Sequence, residues 1–258
     1  MSILIIEALY EGLIFGADRN ITVVDSKGVT SQQHQWPKVL KWPNENTLFG
    51  YAGAATLDNK PVHEWLEEKK QSFSQLGSLE NVASQLKHMI EKQRSLDEGN
   101  RTAEAMIVHV GSFGEKNGHI VPYVYYISNV YKMGQFGYLD CRKEFQCSEE
   151  FWRFNADIDP SEIRRNLKVR AKRFEPFWFH HGIDLITFNV LEGSIRASFK
   201  LLCENHPNHD IPNRIADWEK HVKMQVLMYA AYYEAFYPKN SQFVGGGADV
   251  ISIPWPRQ

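Results

Sequence analysis

The first residue of this sequence that could do chemistry is Ser2. Removal of the initiator Met, which is usual when a small residue follows, would leave Ser2 with a free amine and a hydroxyl. Such a residue holds a nucleophile and a general base within hydrogen-bonding reach of each other, as acyl transfer requires. Because serine is common at this position and a buried first strand is ordinary, Ser2 alone does not define a site.

Three further residues could assist such a nucleophile. Asp18 ends the second of two apolar runs joined by a turn at Glu11-Gly12, so a hairpin would bring it beside the start of the first strand. Lys38 heads the next strand, and an ammonium paired with Asp18 would lower the pKa of the Ser2 hydroxyl and amine. Gly53 stands where a strand passes into a helix, and N–H groups there can hold a developing oxyanion. Each also has a common structural role, in a turn, at a strand edge or in a tight bend.

The elements that must position these residues are short strands and two pairs of helices. Apolar runs and three- and four-residue spacing predict strands at 4–6, 13–15, 38–42, 47–52, 105–110, 120–127, 177–179 and 242–253, and helices at 57–73, 79–94, 191–203 and 211–236. Segment 19–37 is predicted to be polar and irregular, and 131–175 an insertion. This order predicts one α+β domain over 1–258, a four-layer αββα sandwich with two stacked, mainly antiparallel sheets.

Composition excludes several classes of function. A hydrophobic content of 43% and an aromatic content of 13% suffice for a large core. A net charge of −2 gives no electrostatic argument for nucleic acid or an anionic membrane. The basic run over 164–173 leaves a nucleic-acid interpretation open beside a solvated helix face or a subunit contact. No apolar run approaches the roughly 20 residues of a membrane span, and we expect no signal peptide.

The cysteine and histidine patterns predict neither a metal nor another cofactor. Cys141, Cys147 and Cys203 are odd in number and match no metal or redox spacing, which favours reduced thiols and a cytoplasmic location. The loop that contains His206, His209 and Asp210 could supply ligands to a metal ion. Without a second cluster at metal spacing, a helix-connecting turn is the simpler interpretation.

Taken together, four stretches resemble the motifs of the proteasome β-subunit superfamily. They are Gly12-Leu13-Ile14-Phe15-Gly16-Ala17-Asp18, then Lys38-Val39, then Gly50-Tyr51-Ala52-Gly53-Ala54-Ala55-Thr56-Leu57-Asp58, and finally Val244-Gly245-Gly246-Gly247-Ala248-Asp249-Val250-Ile251. The motifs span almost the whole chain, and the strong matching lies in its first quarter and its last few residues. Members of that superfamily are N-terminal-nucleophile (Ntn) hydrolases with an αββα sandwich, and bacterial relatives are processed only by loss of Met.

The resemblance implies a role for each of the matching positions. Ser2 would be the nucleophile, with its own amine as general base. Asp18 and Lys38 would polarise it, and the Gly53 N–H would form the oxyanion hole. Ala55 would lie near the pocket that receives the substrate side chain.

The sequence also departs from the pattern of the superfamily. Serine replaces the threonine nucleophile of proteasomes, and Arg19 and Asn20 replace a small residue followed by Arg. Asn20 is still expected to contact substrate. The supporting Ser and Asp of the superfamily fall near His181 and Ser241, which could take over the support, or the network is altered.

The function that the resemblance implies is hydrolysis of peptide or amide bonds, with peptides or proteins as substrates. A homo-oligomeric ring would enclose the active sites, and an ATP-dependent partner could deliver the substrate. Two alternatives stay open: a catalytically inactive, proteasome-like structural subunit, and an Ntn-class amidase that acts on small molecules. Inactive proteasome α-subunits carry a helix ahead of the first strand, and the residues before 4 leave no room for one, which favours the catalytic type.

Overall fold

The structure is a computed structural model, and it describes residues 2–24, 30–42, 46–73, 76–98, 105–133, 139–173, 177–181, 193–194, 197–198, 201, 205, 214–236 and 245–256. In chain order the strands are β1 (Leu4–Leu9), β2 (Gly12–Asp18), β3 (Asn20–Val24), β4 (Thr30–Gln35), β5 (Val39–Trp42), β6 (Thr47–Gly53), β7 (Thr56–Leu57), β8 (Lys60–Pro61), β9 (Met106–Lys116), β10 (His119–Met133), β11 (Leu139–Glu149), β12 (Phe177–His181) and β13 (Ala248–Pro254). The helices are α1 (Val62–Phe73), α2 (Leu79–Glu98), α3 (Ile163–Lys172) and α4 (Ile215–Phe236).

Two antiparallel sheets form the centre of the fold. The first has the strand order β12-β1-β2-β13 and the second β11-β10-β9-β6-β5. In the first sheet the β1–β2 hairpin pairs Leu4 with Ala17, which sets Asp18 opposite Ile3. In the second sheet, Asn117 and Gly118 have φ angles of 52° and 79° in the two-residue turn between β9 and β10. These positive angles are those of a type I′ turn, as the Asn-Gly pair predicts.

The alternation of side chains along β1 shows how the layers stack. Leu4, Ile6 and Ala8 belong to the apolar cluster between the two sheets. Ile3 and Ile5 belong instead to the cluster beneath α4. Because both faces of β1 are covered, its sequence is apolar at every position except Glu7, which is also buried.

Helices cover the outer face of each sheet. Trp65 of α1 and Leu86 of α2 pack with the outer face of the second sheet, while Val222 of α4 packs on the first sheet. A Cβ on Gly16 of β2 would lie 2.4 Å from Val222 Cγ1, so glycine permits this close approach. The predicted four-layer αββα sandwich is therefore confirmed.

Segment 19–37 was predicted wrongly as irregular, because it contains the β3–β4 hairpin, whose register pairs Asn20 with Gln35. Strand β3 carries β-branched residues, but its partner β4 is wholly polar and lacks the apolar pattern that sequence reading depends on. The first helix also begins later than predicted, at Val62. A small β7–β8 hairpin precedes it, with Asp58 and Asn59 both at a φ of 56°.

The segment over 131–175 supplies a sheet edge and a helix. Strand β11 pairs with β10 along the edge of the second sheet. Helix α3 buries Ile163, Leu167 and Ala171, and its basic residues Arg164, Arg165 and Lys168 are exposed. Of the helix predicted over 191–203, the structure describes residues 193–194, 197–198 and 201, and they are helical.

Candidate active site

A buried ion pair forms the centre of the candidate site. Asp18 ends β2 and Lys38 directly precedes β5, so each of the two stacked sheets contributes one partner. Lys38 Nζ donates to Asp18 Oδ1 over 2.9 Å, and the exposed fractions of the two side chains are 2% and 0%. Sequence reasoning could expect the charges from the residue types, but only the stacking of the two sheets brings them together.

The Asp18 carboxylate also holds the backbone at the start of the chain. The N–H of Ile3 donates to Asp18 Oδ1 over 2.7 Å, and the N–H of Asp18 donates to the Ile3 carbonyl over 3.2 Å. The Ile3 N–H belongs to the peptide that joins Ser2 to Ile3. The ion pair is therefore anchored directly to that peptide, and Ser2 itself is buried, with 7% of its surface exposed.

Burial dominates the protonation behaviour of the pair. Desolvation raises the pKa of Asp18, and the Lys38 charge and the hydrogen bonds from Lys38, Ile3 and Gly245 oppose that rise. Desolvation likewise lowers the pKa of Lys38 against the opposing effect of Asp18. A lysine whose pKa is depressed by burial can take part in moving a proton.

A loop of three glycines closes the other side of the carboxylate. Gly245, Gly246 and Gly247 have φ angles of 119°, 70° and 95°, which L side chains rarely adopt. The N–H of Gly245 donates to Asp18 Oδ2 over 3.1 Å, and the Gly245 carbonyl accepts from the N–H groups of Arg19 and Asn20. Both oxygens of Asp18 are thus hydrogen-bonded, and the last strand of the sandwich is fixed against the site.

Sequence reasoning missed two contributions from this C-terminal stretch. It took Gly245 only as part of a matching motif, although its N–H binds Asp18, and it gave Asp249 no role. The Arg19 guanidinium pairs with Asp249, with Arg19 Nε 2.8 Å from Oδ1. Three consecutive glycines before a strand were the available signal, because such a run permits a backbone that other residues resist.

Gly53 lies at the end of β6, exposed and with a φ of +94°. The N–H of Ala54 donates to the Ala105 carbonyl, and Gly53 pairs with Met106 in the β6–β9 ladder. Because hydrogen-bonded and non-bonded pairs alternate in an antiparallel ladder, the Gly53 N–H is directed away from β9. The Gly53 N–H therefore points to the same side of β6 as the Tyr51 N–H, which donates to the Lys38 carbonyl over 2.9 Å.

The remaining candidate residues are placed as follows. The carbonyl of Ala55, which is half-buried, accepts from the Val62 N–H at the start of α1. Asn20 packs against the glycine loop, where a Cβ on Gly246 would lie 2.5 Å from its Oδ1. His181 pairs with Leu4 through the β1–β12 ladder, and only its backbone is described. Ser241 lies outside the described residues.

The described residues contain no group of three or more His, Cys, Asp or Glu side chains arranged to hold a metal ion. Among the helices that the structure describes, none is both long enough and apolar enough to cross a membrane.

The fold defines the architectural class, an αββα sandwich with the fold of Ntn hydrolases. The Anbu (Gly-1) mutant from Hyphomicrobium sp. strain MC1 is similar in structure, with a TM-score of 0.50 at 15% identity over 98% of this chain and 82% of that chain. Anbu (ancestral beta-subunit) from Yersinia bercovieri gives 0.49 at 13% identity with the same coverage. A helical assembly of the Anbu complex from Pseudomonas aeruginosa gives 0.35 at 14% identity over 81% of this chain and 98% of that chain.

The Hyphomicrobium structure, with a TM-score of 0.50 and 15% identity, shows that this chain shares the fold and shows nothing about its activity. A scan against protein-family models and a search of curated proteins gave no match.

Proposed function

We propose that this chain is a proteasome-like Ntn hydrolase that cleaves peptide or amide bonds with Ser2 as its nucleophile. The observation that carries the proposal is the buried pair of Asp18 and Lys38, hydrogen-bonded to the peptide that joins Ser2 to Ile3. Burying two charges costs free energy that well-packed apolar residues would avoid. The pair lies beside the first residues of buried strand β1. Chemistry at Ser2 explains this position more readily than stability does.

The proposed mechanism uses Ser2 for both nucleophile and base. Its Oγ forms a bond to the substrate carbonyl carbon while the Ser2 amine accepts the hydroxyl proton. The positive charge of Lys38, held by Asp18, lowers the pKa of both groups on Ser2. The protonated amine then gives its proton to the leaving amine, and water, activated by the same amine, releases the acyl group from Oγ.

The Gly53 N–H is proposed to hold the oxyanion. The support for this role is the alternation of hydrogen-bonded and non-bonded pairs in the β6–β9 ladder. This alternation directs the Gly53 N–H toward the side of β6 on which Lys38 lies. Gly53 is exposed and can therefore meet a substrate. Ala55 and Asn20 flank the proposed site as substrate contacts, and support from His181 and Ser241 remains a prediction.

We also propose that copies of the chain assemble, as the resemblance to proteasome β-subunits implies. Helix α4 leaves three large apolar side chains exposed, Leu227, Met228 and Phe236. Met228 and Phe236, eight residues apart, share one face of the helix and can pack against a second copy. The proposal is tested by sedimentation of the purified chain, and a monomer at all concentrations would contradict it.

The catalytic proposal has a test that begins with the mass of the intact protein. We expect loss of Met1, stoichiometric labelling by a peptide electrophile directed at hydroxyl groups, and loss of both labelling and hydrolysis in Ser2→Ala. Ser112→Ala is the matched control, because Ser112 is also buried but donates to the Asn46 carbonyl. Retention of Met1 in the assembled protein, or labelling at another residue, would overturn the proposal.

The same preparation separates the alternatives. A panel of fluorogenic peptides and small amides distinguishes a peptidase from a small-molecule amidase by the ratio of their kcat/KM values. A chain that has lost Met1, assembles, and neither labels nor hydrolyses any member of the panel would be an inactive structural subunit.

A further inference from the structure

The geometry points to Asn129 as a positioning residue that holds the Gly53 oxyanion donor in place. This inference rests on the proposed function, because it concerns the same site. Asn129 lies on β10, two strands away from Gly53 in the sheet, and nothing in the sequence pattern singles it out.

The first step is the contact between Gly53 and the start of β9. A Cβ on Gly53 would lie 2.0 Å from the Ala105 carbonyl oxygen, so the two backbones touch at this point. The next N–H, that of Ala54, donates to the same oxygen over 2.9 Å. Any displacement of the Ala105 carbonyl must therefore move the turn that carries the Gly53 N–H.

The second step is the attachment of this start of β9 to β10. The β9–β10 register pairs Ile107 with Ser128, so a regular ladder would set Met106 opposite Asn129. The Asn129 side chain takes the ladder bond, because the Met106 N–H donates to its Oδ1 over 2.7 Å. The backbone of β10 has irregular pairing with β11 here, between Ser128 and Val130. A side chain therefore replaces a backbone acceptor where the register between β10 and β11 shifts.

The third step is the anchoring of Asn129 itself. Its Nδ2 donates to the Arg142 carbonyl of β11 over 3.0 Å, and the residue is fully buried. One amide thus joins β11 to β9, and β9 joins to the turn at Gly53. Irregular strand pairing of this kind commonly occurs next to active sites, where it directs a group.

An oxyanion donor must lie within a fraction of an ångström of its position to be effective. Removal of the Asn129 amide should therefore lower kcat and leave the contacts that set KM in place. A role limited to stability would lower the melting temperature without this separation of kcat from KM.

The test compares Asn129→Leu, which keeps the volume but removes both hydrogen bonds, with Asn155→Leu. Asn155 is a matched control, because it is also buried and its Nδ2 also donates to a carbonyl, that of Phe151. Asn155 and Phe151 both follow β11 in the chain. We expect Asn129→Leu to lose about 10- to 100-fold in kcat at nearly unchanged KM. Asn155→Leu should lower the melting temperature only. Asn129→Asp keeps an oxygen for the Met106 N–H but sets its second oxygen against the Arg142 carbonyl, so it should recover kcat only in part.

A second readout does not depend on catalysis. Amide hydrogen exchange should show faster exchange of the Ala54 and Met106 N–H groups in Asn129→Leu than in Asn155→Leu. An inactive wild-type chain would overturn the proposed function, and the exchange experiment would still test the positioning. An active wild type with unchanged kcat in Asn129→Leu, or unchanged exchange at Ala54, would overturn the inference.

Discussion

Replacement of Lys38 by Met removes the cation from a carboxylate that has no exposed surface. Asp18 accepts three hydrogen bonds, from Lys38 Nζ at 2.9 Å, the Ile3 N–H at 2.7 Å and the Gly245 N–H at 3.1 Å. Loss of one partner of a buried pair costs about 3–5 kcal/mol. Because two of the three donors remain in Lys38→Met, we expect a loss near the lower end, about 3 kcal/mol of unfolding free energy.

This loss should depend on pH. Without Lys38, desolvation raises the pKa of Asp18 further above the unfolded value of 3.8. A group whose folded-state pKa is raised contributes stability that is present below the unfolded pKa and is lost as the pH rises through the folded-state pKa. The deficit of Lys38→Met relative to the wild type should therefore be larger at about pH 8 than at about pH 5.

Urea unfolding of the wild type, Asp18→Asn, Lys38→Met and the double variant measures the coupling of the pair. We expect the double variant to be more stable than the sum of the two single losses predicts, by about 2 kcal/mol, because neither charge is then left alone. Labelling of Ser2 by the electrophile should be lost in all three variants. A stability loss below about 1 kcal/mol for Lys38→Met, or a deficit that shrinks as the pH rises, would refute the account of the pair.

Three further outcomes follow from other parts of the fold. Gly53→Ala should lower kcat about 100-fold, because its Cβ would meet the Ala105 carbonyl at 2.0 Å, and unchanged kinetics would contradict the placement of the oxyanion donor. Gln225→Leu should cost about 2 kcal/mol in urea unfolding, because buried Gln225 of α4 donates to buried Glu7 of β1 over 3.0 Å; a neutral effect would show that the bond is dispensable. Burial lowers the pKa of His221 from 6.5 to about 4, so the wild type should lose up to about 3 kcal/mol of unfolding free energy as the pH falls through this window. Urea midpoints measured against pH should give a flatter stability profile for His221→Asn.

The acid sensitivity ascribed to His221 follows from its surroundings. It lies against the ring of Trp218, with a ring-centroid separation of 5.5 Å, and near the Gln225 amide. Above pH 6.5 the imidazole is neutral in both folded and unfolded states. Between the two pKa values the unfolded chain binds the proton more readily, so the free energy of unfolding falls as the pH falls. An unchanged profile in His221→Asn would assign the acid sensitivity to other groups.

The sequence by itself determined the parts of the fold that depend on near neighbours. Continuous apolar runs and a turn at Glu11-Gly12 predict β1 and β2, and the hairpin places Asp18 beside the start of the chain. The Asn117-Gly118 pair predicts the β9–β10 turn. Each signal is written within a few residues, because hydrophobic periodicity and turn propensity act along the chain. The β3–β4 hairpin was missed because β4 (Thr30–Gln35) is wholly polar, although the β-branched residues of β3 (Asn20–Val24) do carry a strand signal.

The tertiary structure alone decided how the candidate site is held. The Gly245 N–H reaches Asp18 across 227 positions of sequence, and Gln225 reaches Glu7 across 218. Asn129 replaces a ladder acceptor at the point where the register between β10 and β11 shifts. Each of these contacts is one hydrogen bond between parts of the chain that only the fold brings together. Such a bond leaves no periodic pattern in the sequence, so the packing of the layers, and not the local chain, sets which polar groups meet.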